Sequence, residues 1–202
     1  MFQQFKLVSV VLIVSLTICL FACNSTFTPK PTGYYAIKFP VKTYQLFNQP
    51  GYPYSFEYPN YAKVVKDSTF FGGTTENPWW INVNFPDFGG SFYISYKQVG
   101  TDKNKIDSLI KDAYTLTGKH SAKAYSIEDS LIQTESGIHG VFFSVGGDVA
   151  TAHQFFLTDT TKNFIRGALY FDATPNADSL KIVDQFLLED MKHLIKTFRW
   201  KN

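Results

Sequence analysis

The chain has 202 residues, with 19 basic and 17 acidic side chains, and only two arginines, Arg166 and Arg199. That near-balance gives no electrostatic footprint for nucleic acid, and the scarcity of arginine argues against bidentate phosphate clamps. Aromatics are the unusual feature, 20 Phe, 12 Tyr and 3 Trp, and large rings suit pleated sheets and interfaces.

Lys6 precedes an apolar run from Leu7 to Ala22. The run is short for a membrane-spanning helix, which needs about 20 residues, and suits the core of a secretory signal peptide. It ends Leu20-Phe21-Ala22-Cys23. This resembles a bacterial lipobox: a branched apolar residue, a variable position, a small residue, then cysteine. A thiolate is a good nucleophile, so Cys23 is the expected lipidation site. Two or three acyl chains hold a protein firmly, because each buried CH₂ contributes about 0.8 kcal/mol. Cys19 follows Ile18 rather than a small residue and competes poorly. Removal of residues 1–22 leaves 202 − 22 = 180 residues. Cys23 is then the sole cysteine, which leaves no disulfide framework and no thiolate metal site. Residues 23–33 contain Pro29 and Pro31 and little to bury. They read as an extended tether, roughly 30 Å long at about 3.3 Å per residue. Residues 34–202 are the expected single domain. Asn24, rather than aspartate, resembles signals that permit transfer to the outer membrane, and the tether lacks an acidic surface-export run. The expected location is the outer membrane, facing the periplasm.

Along the domain, "IKFP", "FEYP" and "VNFP" each close an apolar run with an aromatic and a proline. Proline cannot donate to a ladder, so each marks an expected strand end. Alternation predicts strands over Pro53–Pro59, Trp79–Phe85 and Phe92–Tyr96, the last two joined through the turn-rich "FPDFGGS". Val141–Val145, His153–Leu157 and Phe164–Phe171 add three more, with "TDTTKN" a hairpin connection. Ile106, Leu109, Ile110, Ala113 and Leu116 have helical spacing, stopped at Gly118. Leu180, Val183, Leu187, Met191, Leu194 and Phe198 form a longer helical stripe. The fold class is therefore α+β: a mostly antiparallel sheet with two main helices on its apolar face. The order is similar to the Mog1/PsbP-like sandwich, where a "FEYP"-like early strand and a final "FRW"-like helix end also recur.

The sequence carries no recognisable catalytic motif. His120, His139, His153 and His193 form no H-x-x-x-H or H-E-x-x-H pattern. His153 is expected to pack or cap at a strand start, and His193 to sit solvated or packed on its helix. The pairs Gly72-Gly73, Gly89-Gly90 and Gly146-Gly147 match neither phosphate-loop nor dinucleotide fingerprints and read as turns. Ser144 lacks a G-x-S-x-G elbow. No enzyme motif, metal or cofactor is expected.

The aromatics offer a candidate surface instead. Adjacent Trp79 and Trp80 on one strand point to opposite faces. Trp79 goes with Ile81 and Val83 to the core. Trp80 falls with Asn82, Asn84 and, on the next strand, Tyr93, as a candidate protein-binding face. Tyr52, Tyr54, Tyr58 and Tyr61 form a second candidate cluster.

"PKPTGYYAIKFP", "YPYSFEYPNYAKV", "PWWINVNFP", "ISYK", "QFFLTDTTKNFIRGALYF", "PNADSL" and "DMKHLIKTFRW" occur in that order. Together they closely resemble the gliding motility lipoprotein GldD family of the Bacteroidota, across nearly all of Cys23–Asn202. The resemblance places the lipidated cysteine at Cys23 and supplies no catalytic residues. It implies a cell-envelope accessory of gliding motility and of the associated type IX secretion machinery, held to the membrane by its lipid. The expected partners are envelope proteins of that machinery, including other gliding lipoproteins. A periplasmic small-ligand or lipid-binding module is the alternative.

Overall fold

A computed structural model describes residues 36–67, 69–70, 73–100, 103–134 and 136–201. The signal segment, Cys23 and the tether lie outside the described residues. Residues 36–40 adopt no regular element, so "IKFP" does not end a strand.

From Pro40 onward the elements run β1 (Tyr44–Phe47), β2 (Tyr54–Pro59), β3 (Lys63–Lys66), β4 (Thr69–Phe70), β5 (Gly73–Thr74), β6 (Ile81–Phe85) and β7 (Gly90–Gln98). Helix α1 (Lys103–Gly118) follows, then β8 (Ala124–Gln133), β9 (His139–Gly147), β10 (His153–Thr158) and β11 (Asn163–Phe171). The chain closes with α2 (Ala177–Thr197) and β12 (Arg199–Trp200). The described strands form a seven-stranded sheet in the order β3-β6-β7-β11-β10-β9-β8, a three-stranded sheet β1-β2-β12 and the small β4-β5 ribbon. All pairings are antiparallel. The architecture is α+β, as the sequence implies.

Local chemistry explains the connections. Between β6 and β7 the chain makes a 3₁₀ turn, Pro86–Phe88, and reverses through Gly89 at φ 56°. Between β10 and β11, Asp159 Oδ1 accepts the backbone N–H groups of Thr161, Lys162 and Asn163 at 2.9, 2.7 and 2.9 Å. Asn176 caps α2 by accepting the Ser179 amide at 2.9 Å, and Asp148 accepts that of Ala177 at 2.8 Å.

The two helices lie on opposite faces of the main sheet, rather than together on one. His153 and Gln154 are neighbours on β10, so their side chains point opposite ways. His153 Nε2 meets Asp184 of α2 at 2.8 Å, whereas Thr117 of α1 reaches Gln154 at 3.4 Å. The reason is in the strands themselves. Phe155, Phe156 and Leu157 are consecutive and all buried, so β10 needs cover on both sides.

On the inner face, α2 contributes Leu187 and Met191, and the small sheet contributes Tyr54 and Phe56, over Ile81, Val83, Phe85, Phe92 and Ile94. Gly90 accommodates Leu187, whose Cδ1 lies 2.8 Å from where a Cβ would stand. On the outer face, Ile106, Leu109 and Ala113 of α1 pack on Val141, Phe143, Phe156 and Phe164. Gly146 and Gly147 lie in β9 rather than in a turn. They sit beside a register shift at Ala124/Ser126 of β8. A Cβ on Gly146 would meet the Tyr125 ring at 2.6 Å, and Gly147 takes φ 124°.

Candidate functional site

Strands β6 and β7 carry the expected surface. Register pairs Asn82 with Tyr93 and Asn84 with Ser91. On the other side, Val65 of β3 pairs with Asn82. These residues share the outer face beyond α1. Tyr93 is 43% exposed, Val65 is exposed, and Asn82 and Asn84 are half-buried. Tyr170 of β11 stands edge-on to Tyr93 with ring centroids 5.4 Å apart. The patch is polar, aromatic and accessible.

Trp80 does not belong to it. Its side chain is only 7% exposed, and its indole N–H donates to the Tyr96 carbonyl at 2.9 Å. Trp79, assigned to the core by alternation, is instead half-buried. Its Nε1 donates to the Gly51 carbonyl at 2.7 Å, and its ring stands edge-on to Tyr96 at 5.4 Å. The local turn explains the reversal. Asn77 Oδ1 accepts the Trp79 amide at 3.1 Å, Pro78 and Trp79 sit in a turn, and the strand begins at Ile81. Strand alternation therefore cannot be extended back through the tryptophan pair.

The tyrosine cluster is likewise divided. Tyr54 is fully buried. It stacks on Phe198 at 5.8 Å and donates its hydroxyl to the Trp79 carbonyl. The cause is topological: β2 is the central strand of the small sheet and turns that side chain into the core. Tyr52 and Tyr58 are half-buried, packing edge-on to Tyr54 and Phe56. Tyr61 stacks on Phe186 at 5.7 Å and donates to Asp190. The Tyr54 and Tyr61 hydroxyls are thus turned to internal partners rather than to a common surface.

Sequence pattern does not single out Asp190. Its carboxylate is completely buried and accepts from Lys42 Nζ at 2.7 Å, Tyr44 at 3.0 Å and Tyr61 at 2.5 Å. Lys42 also donates to the Phe186 carbonyl at 2.7 Å and lies 3.8 Å over the Phe186 ring. Burial, then hydrogen bonding to Asp190, pushes the Tyr44 and Tyr61 phenols well above the usual tyrosine range. Beside them Tyr44 stacks on His193 at 3.6 Å, and His193 pairs with Glu57 at 2.7 Å. This knot fastens the residues before and within β1 to α2. The signal for it lay in α2 itself, where an aspartate interrupts the stripe between Leu187 and Leu194.

His153 and His193 each face a single carboxylate. No group of three His, Cys, Asp or Glu with metal-binding geometry occurs among the described residues. A cavity of about 350 Å³ lies between β8–β9 and the start of α2, lined by Tyr125, Glu128, His153, Asn176 and Asp184 among others.

Residues 24–200 match the family model "Gliding motility lipoprotein GldD". The chain belongs to the gliding motility lipoprotein GldD family. That membership gives it a role in gliding motility and a lipid-anchored place in the cell envelope. No curated protein matches the sequence. Among solved structures, the solution structure of cyanobacterial PsbP (CyanoP) from Synechocystis sp. PCC 6803 is similar. The likeness covers 85% of this chain and 100% of that one, at 12% identity and a TM-score of 0.43.

Proposed function

We propose that this family member is a non-enzymatic part of the gliding motility and associated type IX secretion machinery, which it assembles or stabilises. It is anchored through Cys23 to the outer membrane, with its domain facing the periplasm. The observation that carries the reading is the family match across residues 24–200. The open patch of Asn82, Asn84 and Tyr93 offers other envelope proteins of that machinery a surface whose loss would leave the core intact.

Replacing Cys23 with alanine tests the anchor. Cys23→Ala should shed the acyl mass, leave the membrane fraction, and fail to restore gliding or secretion in a deletion strain. Unchanged mass and normal fractionation would refute the lipidation site. Protease accessibility in intact cells tests the orientation. A small-ligand module is the second reading, favoured by the cavity beside His153. A bound small molecule retained in native mass spectrometry would support it.

A further inference from the structure

The two edges of the main sheet are built differently. β3 is four residues, Lys-Val-Val-Lys, short and charged at both ends. Such edges discourage strand addition. β8 is ten residues, AYSIEDSLIQ, without lysine, arginine or proline. Tyr125 is 84% exposed, Leu131 is 87% exposed, and Ile127 is exposed as well. Among the described strands, its only partner is β9.

Ladder geometry shows which backbone groups β8 turns outward. Thr134 donates its amide to the Ile138 carbonyl at 3.0 Å, and the same register continues through Gln133↔His139 and Leu131↔Val141. Bonded and non-bonded pairs alternate along an antiparallel ladder. Ile132, Ser130 and Glu128 therefore turn their amides and carbonyls to β9, while Gln133, Leu131, Asp129 and Ile127 turn theirs away. The side chains of this second set share the face of α1, since the Tyr114 hydroxyl donates to Asp129 at 3.2 Å. Outward backbone, two exposed apolar side chains and one carboxylate thus lie in a single strip, with half-exposed Tyr114 beside it.

We propose that β8 is a docking edge that accepts an extended segment of a partner protein as a further strand. The segment carries apolar residues opposite Ile127 and Leu131 and a lysine or arginine opposite Asp129. Backbone hydrogen bonds supply affinity, and the alternate side chains supply selectivity. Charge decides against a second copy as the occupant. The outward residues are odd-numbered, so the two antiparallel self-registers of longest overlap centre on Glu128 or Asp129. Each sets a carboxylate directly opposite its copy, and like charges in that position destabilise a pair. A basic strand has the opposite effect. The proposal rests on the assembly reading above.

A photo-crosslinking amino acid in place of Leu131, in the full lipoprotein within intact cells, tests it, with the same probe at Tyr93 for comparison. The expected product at residue 131 is an adduct whose sequenced peptide comes from another protein and shows apolar alternation around a lysine or arginine. With the probe moved to Ile127, Asp129→Pro removes one outward N–H without touching the β9 ladder. Leu131→Lys opposes the incoming charge while keeping the backbone whole, and so serves if the proline variant fails to fold. Either should cut the adduct at least about tenfold, the equivalent of about 1.4 kcal/mol. Adducts to a second copy, a peptide without alternation, or an adduct unchanged by Leu131→Lys would overturn the docking edge. Adducts to envelope proteins at Tyr93 with none at residue 131 would do the same, yet leave the assembly function standing. No adduct to another envelope protein at either site would overturn both.

Discussion

Strands β6 and β7 have two faces with opposite fates. Inward, Ile81, Val83, Phe85, Phe92 and Ile94 are sealed under the small sheet and α2. Outward, Tyr93 is exposed, and Asn82 and Asn84 are half-buried. The same backbone serves both, so the difference lies wholly in alternate side chains. Apolar area gained inward, at about 25 cal/mol per Å², holds the strands in place and leaves the outer face free to be polar. Substitutions on the outer face should therefore leave stability largely intact.

The inner face should break most readily at Asp190. Asp190→Ala removes the acceptor shared by two tyrosine hydroxyls and leaves the Lys42 ammonium with the Phe186 carbonyl at 2.7 Å and the more distant Glu189 carboxylate at 3.6 Å. Removing one partner of a buried ion pair costs about 3–5 kcal/mol. Denaturant unfolding should show a loss toward the lower end of that range, because Lys42 is partly exposed and keeps Glu189 as a weaker partner. A loss below about 1 kcal/mol would mean that the knot contributes little to holding β1 on α2.

The boundary between the faces comes next. Trp80→Ala should cost about 3 kcal/mol, as expected for a buried indole, and Trp79→Ala about 1–2 kcal/mol, because its ring is only half-buried. Comparing the two midpoints checks the order. Equal losses would place both rings in the core.

A gentler perturbation of the inner face is alkaline pH. Burial raises Tyr54, and burial with the Asp190 contact raises Tyr44 and Tyr61. A phenol whose folded pKa lies above its unfolded value, about 10, contributes stability that is complete below that pH and drains away above it. Phenolate absorbance should therefore rise in two stages. The later stage belongs to these three, which ionise together with cooperative unfolding. A single smooth titration would contradict the burial.

Much of this comparison was legible in the sequence. Alternation through Ile81–Phe85 and Phe92–Tyr96 separated the inner residues from Asn82, Asn84 and Tyr93, because strand side chains alternate strictly. Both helices were legible for the same reason at helical spacing. What failed was alternation at a strand's end, where a turn capped by Asn77 reversed Trp79 and Trp80. β8 was missed because an exposed edge strand has no buried face to impose a pattern, and Glu128-Asp129 interrupts the little it has. The placement of α1 was missed because consecutive apolar residues in β10 reveal that both faces are covered, but not by what. The Asp190 knot joins residues 146 and 148 positions apart, and single-sequence periodicity carries no information at that range.

The smallest effect on stability, and the sharpest use of the comparison, is expected at Tyr93. Tyr93 is 43% exposed and its ring stands edge-on to Tyr170. Tyr93→Ala should therefore change unfolding by less than about 1 kcal/mol. If the outer patch docks the gliding machinery, the same change should weaken capture of those envelope proteins about tenfold, an effect of about 1.4 kcal/mol. The pair of measurements is informative because inner-face variants must show the reverse: large losses of stability, with binding lost only as the fold is lost. A stable Tyr93→Ala protein with undiminished capture would show that the patch is merely solvated surface. Docking would then fall to another face of the domain, and the β8 edge can be scored independently because its crosslinks do not pass through Tyr93.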